Sequence, residues 1–151
     1  MPLDALAAAL TTDLERILGL FRSLSPASGL SMTAAATLAS IERLGPQRLT
    51  VLAAREGVTQ PAMTQLISRL EESGLVRREA SPEDGRVVLV VITDEGRAVL
   101  ARRRSVRTGK LAGIIAQLGP EHRAALAGAL PALDALASVP REDDPARVTA
   151  R

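Results

Sequence analysis

Cysteine, tryptophan and tyrosine are all absent from this chain, and Phe21 is its sole aromatic residue. Without thiols there is no disulfide framework, no thiolate nucleophile and no cysteine-ligated metal. A single histidine, His122, offers too few nitrogens for a transition-metal cluster and reads as a solvated or capping residue. Lysine is scarce as well, since 18 of the 19 basic residues are arginine. No apolar run reaches the roughly 18–20 residues that would cross a bilayer. The N-terminal stretch has no basic segment, and Asp4 and Asp13 bracket its apolar part, so no membrane partner and a cytoplasmic location are expected.

Hydrophobic residues still make up 46% of the 151 positions, enough for a core, and that core must be aliphatic. The formal net charge is only +2, but it is unevenly spread. Residues 43–110 carry 13 basic and 8 acidic side chains, whereas 1–42 carry 2 and 4, and 111–151 carry 4 and 5. A basic central segment is the expected footprint of a module that faces phosphate.

Within that segment lies TQPAMTQLISRLEESG, residues 59–74. Met63, Leu66, Ile67 and Leu70 recur at helical spacing and mark a buried face. Gln60, Pro61, Thr64, Gln65 and Ser68 are small or polar and fall on the other side. Thr59 suits an N-cap, and Pro61 falls in the first turn, where a missing N–H costs little. Gln can pair bidentately with adenine in the major groove, and a Thr methyl can meet that of thymine. Taken alone the stretch suits either an ordinary amphipathic helix or one built to be read from outside.

The flanking segments supply a context. Residues 3–24 carry Leu3, Ala7, Leu10, Leu14, Ile17, Phe21 and Leu24 in alternating steps of four and three. That narrow seam suits packing within its own domain or against a second subunit. A break at residues 25–29 is followed by helices expected at 33–44 and 49–56, the latter with Thr50 as its N-cap. Ala53, Gly57 and Val58, followed by Met63 and Leu66, have the layout of a helix-turn-helix, although Glu56 stands where an apolar residue is common. Strands are expected at 75–79 and 87–92, joined by a polar loop with Asp84-Gly85 at its tip. Arg77, Arg78 and Arg86 make this wing a candidate for DNA contact. Thr93 then caps a long helix expected to run past Arg102-Arg103-Arg104, a solvated face or a phosphate contact, to Leu118. A last helix spans 121–137, with a kink expected at Pro131, and 141–151 reads as a flexible tail.

The run GVTQPAMTQLISRLEESGLVRR followed by SPEDGRVVLVVITDEGR resembles the MarR family of bacterial transcription regulators. The resemblance spans about residues 5–138 and is most specific over 50–97. It implies a mainly α fold with a minor β component: a winged helix-turn-helix (about 33–97) with a two-stranded wing, and a helical dimerisation region (about 3–30 and 100–138). The whole would form one domain over residues 1–140. It further implies a homodimer that binds a palindromic site in double-stranded DNA, usually as a repressor, and releases it when a small anionic or aromatic effector binds. Carried over by position, Gln60, Pro61, Ala62, Thr64, Gln65 and Arg69 face the groove. Arg86 matches the arginine that enters the minor groove, and Asp84 the acid that braces it.

The absence of cysteine makes thiol-oxidation sensing a poor template, and no cofactor is expected. Catalysis finds no support either: there is no nucleophile elbow, no phosphate-cradling glycine loop and no cluster of ionisable groups around an apolar run. The competing reading, a winged helix that only binds protein, would place acidic or apolar residues on the outward face of 59–74. Gln, Thr, Ser and Arg stand there instead.

Overall fold

The computed structural model describes residues 1–26 and 29–140. Its order is α1 (Leu3–Ser23), α2 (Met32–Leu44), β1 (Gln47–Arg48), α3 (Leu49–Glu56), α4 (Gln60–Glu72), β2 (Val76–Ala80), β3 (Val88–Ile92), α5 (Asp94–Ile115) and α6 (Pro120–Ser138). The tail expected at 141–151 lies outside the described residues.

Aliphatic side chains from every central element meet in one core. Leu38 and Ile41 of α2, Leu52 of α3, Met63 and Ile67 of α4, and Val76, Val90 and Ile92 of the strands are at most 2% exposed. Each such side chain contributes about 1.5–3 kcal/mol by leaving water. Phe21 lies outside this cluster, so the core forms without a ring. Glu56, the departure from the usual helix-turn-helix pattern, accepts a hydrogen bond from the buried Ser40 hydroxyl at 3.2 Å. A carboxylate with a donor is tolerated there because its polar end is satisfied.

The sheet is antiparallel in the order β1-β3-β2, so the wing has a third strand beside the two expected. Gln47 pairs with Val90 and Arg48 with Leu89. Helix α3 starts at Leu49 with Arg48 as N-cap and no side-chain cap bond, which places Thr50 inside the helix and not at its cap. Helix α5 stops at Ile115, three residues short of the expected end, and a turn over 116–119 leads to Pro120 at the start of α6. Helix α6 continues as one element through Pro131.

The restart at Thr93 ties the long helix to the wing. Its hydroxyl donates to Gly74 O at 2.6 Å and accepts from Gly96 N at 3.1 Å, while Thr93 N donates to Leu75 O at 3.1 Å. One turn into α5, Gly96 is buried so closely that a Cβ would collide with the Leu75 carbonyl and Ile92 Cγ1.

The outer helices are different. Neither α1 nor α6 contains a buried residue, and neither packs broadly on another element. Ile17 is 56% exposed and Leu130 63%, with Leu14, Leu126, Leu133 and Leu136 also exposed.

The Gly96 contact carries a direct expectation. Gly96→Ala should lower unfolding free energy by about 1–3 kcal/mol, as overpacking against a backbone carbonyl does. Chemical denaturation measures it, and an unchanged midpoint would show that α5 does not need this close approach.

Candidate nucleic-acid interface

The interface begins with the turn that aims α4. Gly57 adopts φ 64° and ψ 32°, the left-handed conformation that favours glycine. Its N–H donates to Ala54 O at 3.3 Å and that of Val58 to Ala53 O at 3.0 Å, closing α3. Thr59 then caps α4 as expected, its side chain accepting from Ala62 N at 3.3 Å. Met63, Ile67 and Leu70 bury one face of α4, and Leu66 is partly buried beside them.

The opposite face lies open. Thr59, Gln60, Pro61, Ala62, Thr64, Gln65 and Arg69 are all exposed. Thr64 spends its hydroxyl proton on Gln60 O at 2.9 Å, which leaves its methyl group as what it offers outward. Arg69 has no acidic partner among the described residues. Ser68 is only half-exposed, and its oxygen accepts from Arg78 at 3.2 Å.

The wing arginines separate into distinct roles. Arg77 pairs with Glu79 on the same outer face of β2. Arg78 alternates to the inner face and pairs with Glu71 of α4. Only Arg86 stands at the tip, its side chain 96% exposed. The loop that carries it is closed by Ser81 N to Val87 O at 2.7 Å and Val87 N to Asp84 O at 2.9 Å. Asp84 accepts the main-chain N–H of Arg86 at 3.1 Å, while the guanidinium Nε is 4.0 Å away. That separation is too long for a hydrogen bond but within ion-pair range, so the acid shapes the loop and pairs only loosely with the cation. Gly85 has a negative φ, so the tip is not the mirror-image turn that Asp-Gly often makes.

A second site was not singled out by sequence. A pocket of about 240 Å³ lies between α1, α2 and α5, with Ala35, Ala36 and Ala39 as one wall and Arg103, Arg104 and Arg107 opposite. Arg103 is 4% exposed, Arg104 pairs with Glu42 at 2.7 Å, and Arg102 pairs with Glu95 at 2.9 Å. The Arg run is therefore not one solvated face, because successive helical residues diverge by about 100°. Arg107 lies 4.0 Å from the Phe21 ring centroid and donates to Ser25 Oγ at 3.3 Å. Its buried Nε has no hydrogen-bond partner. Burial, then the neighbouring Arg103 and Arg104, lower its pKa below the ordinary arginine value. Each cause disfavours the cation, and a bound anion would offset both. The signal was present in Gly96, Leu100, Arg103 and Arg107, spaced four, three and four along α5.

His122 is exposed on α6 beside Glu121 at 3.0 Å. Among the described residues, no helix is long and apolar enough to cross a membrane.

Comparison with known proteins gives one consistent result. The MarR family profile matches residues 30–88. An HTH-type transcriptional regulator of Mycobacterium bovis is 32% identical over 118 residues, 78% of this chain and 82% of the relative. The solved structure of Rv1404 from Mycobacterium tuberculosis superposes with a TM-score of 0.75 at 26% identity, covering 94% of this chain and 98% of that one. A transcriptional regulator of Thermotoga maritima gives a TM-score of 0.70 at 25% identity, covering 85% and 94%. With a capped helix displaying glutamines, a wing beside it and relatives that agree over most of their length, this chain belongs to the MarR family of transcription regulators.

Proposed function

We propose that the protein is a sequence-specific, ligand-responsive repressor that binds a palindromic operator as a homodimer. The observation that carries this reading is α4 itself, buried on its Met63–Ile67–Leu70 side and displaying Gln60, Thr64 and Gln65 on the other. Residues Thr59, Gln60, Pro61, Ala62, Thr64, Gln65 and Arg69 enter the major groove, and Arg86 reaches the adjacent minor groove. Gln pairs with adenine edges, and a guanidinium gains from the deep negative potential of a narrow A·T-rich groove. Residues about 33–97 form the reading part, and about 3–30 with 100–138 the dimerisation part, of one domain over 1–140.

Selection of bound sites from random duplexes tests this reading. The expected product is an inverted repeat with A·T-rich flanks. On that site Gln60→Ala and Gln65→Ala should relax base preference by about 1–3 kcal/mol for each bidentate pair lost. Arg86→Ala should melt normally yet lose flank preference and most affinity. Recovery of no motif, or of one that all three variants bind as the parent does, would refute it.

The homodimer rests on α1 and α6, most of whose leucines are exposed within one chain and none of which is buried. At ~25 cal/mol per Å² of apolar surface, leaving them in water forgoes many kcal/mol. Leu14→Asp should therefore abolish assembly or folding, which sedimentation at micromolar concentration reads out. A folded monomeric parent would contradict the dimer.

The effector reading rests on the pocket at Arg107. A cavity of about 150 Å³ holds benzene, so about 240 Å³ accommodates a one-ring acid. Benzoate at millimolar concentration should weaken DNA binding, and benzamide should not. Arg107→Ala should remove the response. Equal effects of acid and amide would exclude the guanidinium as its receptor.

A further inference from the structure

The arginine on the inner face of the wing has a different use from those that meet phosphate. Beyond Val76 the strand leaves the core: along β2 only Val76 is buried, Arg78 is partly covered, and Ala80 is exposed. On the neighbouring strand Val90 is buried and Val88 is exposed. Apolar packing therefore stops at the base of the wing, while Arg86 is carried at its tip.

At that boundary Arg78 reaches across to α4 with three bonds. Its guanidinium pairs with the Glu71 carboxylate through Nη1 and donates to Ser68 Oγ through Nη2 at 3.2 Å. Its own main-chain N–H donates to the second Glu71 oxygen at 3.1 Å. One carboxylate thus holds both the backbone and the side chain of the same strand residue. A planar, forked cation suits this arrangement, since it can meet a carboxylate and a hydroxyl at once without reorienting. The half-exposed setting, 31% for Arg78 and 37% for Glu71, makes the pair only partly screened.

We infer that Arg78 is a positioning residue: with Glu71 and Ser68 it fixes the angle between the wing and α4, so that groove reading by α4 and tip insertion by Arg86 occur in one rigid register. This inference rests on the DNA-binding reading above. It also excludes Arg78 as a phosphate contact, and it makes Glu71, an acid on the reading helix, a contributor to affinity.

The sign of one substitution separates the two roles. If Arg78 met phosphate, Glu71→Ala would release it and remove a negative charge, so affinity would hold or rise. If Arg78 positions the wing, Glu71→Ala should weaken binding to the selected duplex about tenfold, the order of coupling seen within one hydrogen-bonded network. Arg78→Ala should weaken it to a similar degree, and the double variant no further. The slope of log affinity against log salt should change alike in all three, since each disturbs the same Arg86 contact, whereas loss of a phosphate contact lowers it by about one in the variants that lack Arg78 and not in Glu71→Ala. Preference for A·T flanks should fall together with affinity, which a residue needed only for stability would not cause in protein that remains folded. Thermal melting of each variant sets the folded fraction.

Tighter or unchanged binding by Glu71→Ala, or a salt slope reduced in Arg78→Ala but not in Glu71→Ala, would overturn the inference and leave the DNA-binding reading standing. A parent protein that binds the duplex library without salt dependence or sequence preference would overturn both.

Discussion

Burial of Met63, Ile67 and Leu70 fixes the rotation of α4 about its own axis, and nearly everything that faces outward depends on that rotation. The three residues lie at i, i+4 and i+7, so they form one stripe, and the residues between them cannot share it. Turning the helix by one residue, about 100°, would drive Gln60 or Gln65 into an aliphatic core that offers no partner. An amide buried without a hydrogen bond costs about 2–7 kcal/mol, several times what a single favourable contact returns. The display of polar groups on α4 is therefore a consequence of core packing and needs no separate cause. The Gly57 turn and the Thr59 cap set where the helix starts; the core sets which way it faces.

Much of this was legible from residues alone, because the signals were local. Gly57 announced a left-handed turn, Thr59 and Thr93 announced caps, and the stripe through Met63 announced a buried face. Where sequence reading fell short, the determining partner was distant in the chain. Strand β1 is two residues long, with no alternation of its own, and exists because β3 lies alongside. Thr50 had the chemistry of a cap, yet pairing of Gln47 and Arg48 with β3 carries the chain directly into α3 at Leu49. Arg77 and Arg78 are grouped by sequence, although strand alternation puts the two on opposite faces and gives them different acidic partners. Asp84 and Arg86 are linked through a main-chain hydrogen bond as well as a long ion pair to the guanidinium.

The near-exclusive use of arginine acquires meaning from these different settings. On α5 three consecutive arginines meet three environments: Arg102 pairs within its own helix, Arg103 is buried, and Arg104 reaches Glu42 on α2. Arg107, one turn on, lies over Phe21. A guanidinium is planar, weakly hydrated and able to stack, so it can serve in each place where an ammonium would demand water. The sole aromatic ring of the chain is placed against one of these cations, and not in the core where aromatic side chains usually go.

Helix α5 joins regions that otherwise have little contact. Its first turn is locked to the wing base through Thr93 and Gly96, and further along it carries Arg104 to α2 and Arg107 to α1. An uninterrupted helix of 22 residues behaves as a stiff rod about 33 Å long. A rod of about that length, tilted by about 5°, carries its far end about 3 Å, close to the roughly 3.4 Å that separates successive bases along a strand. A change at one end too small to alter any fold element would thus arrive at the other as a misfit of about one base step.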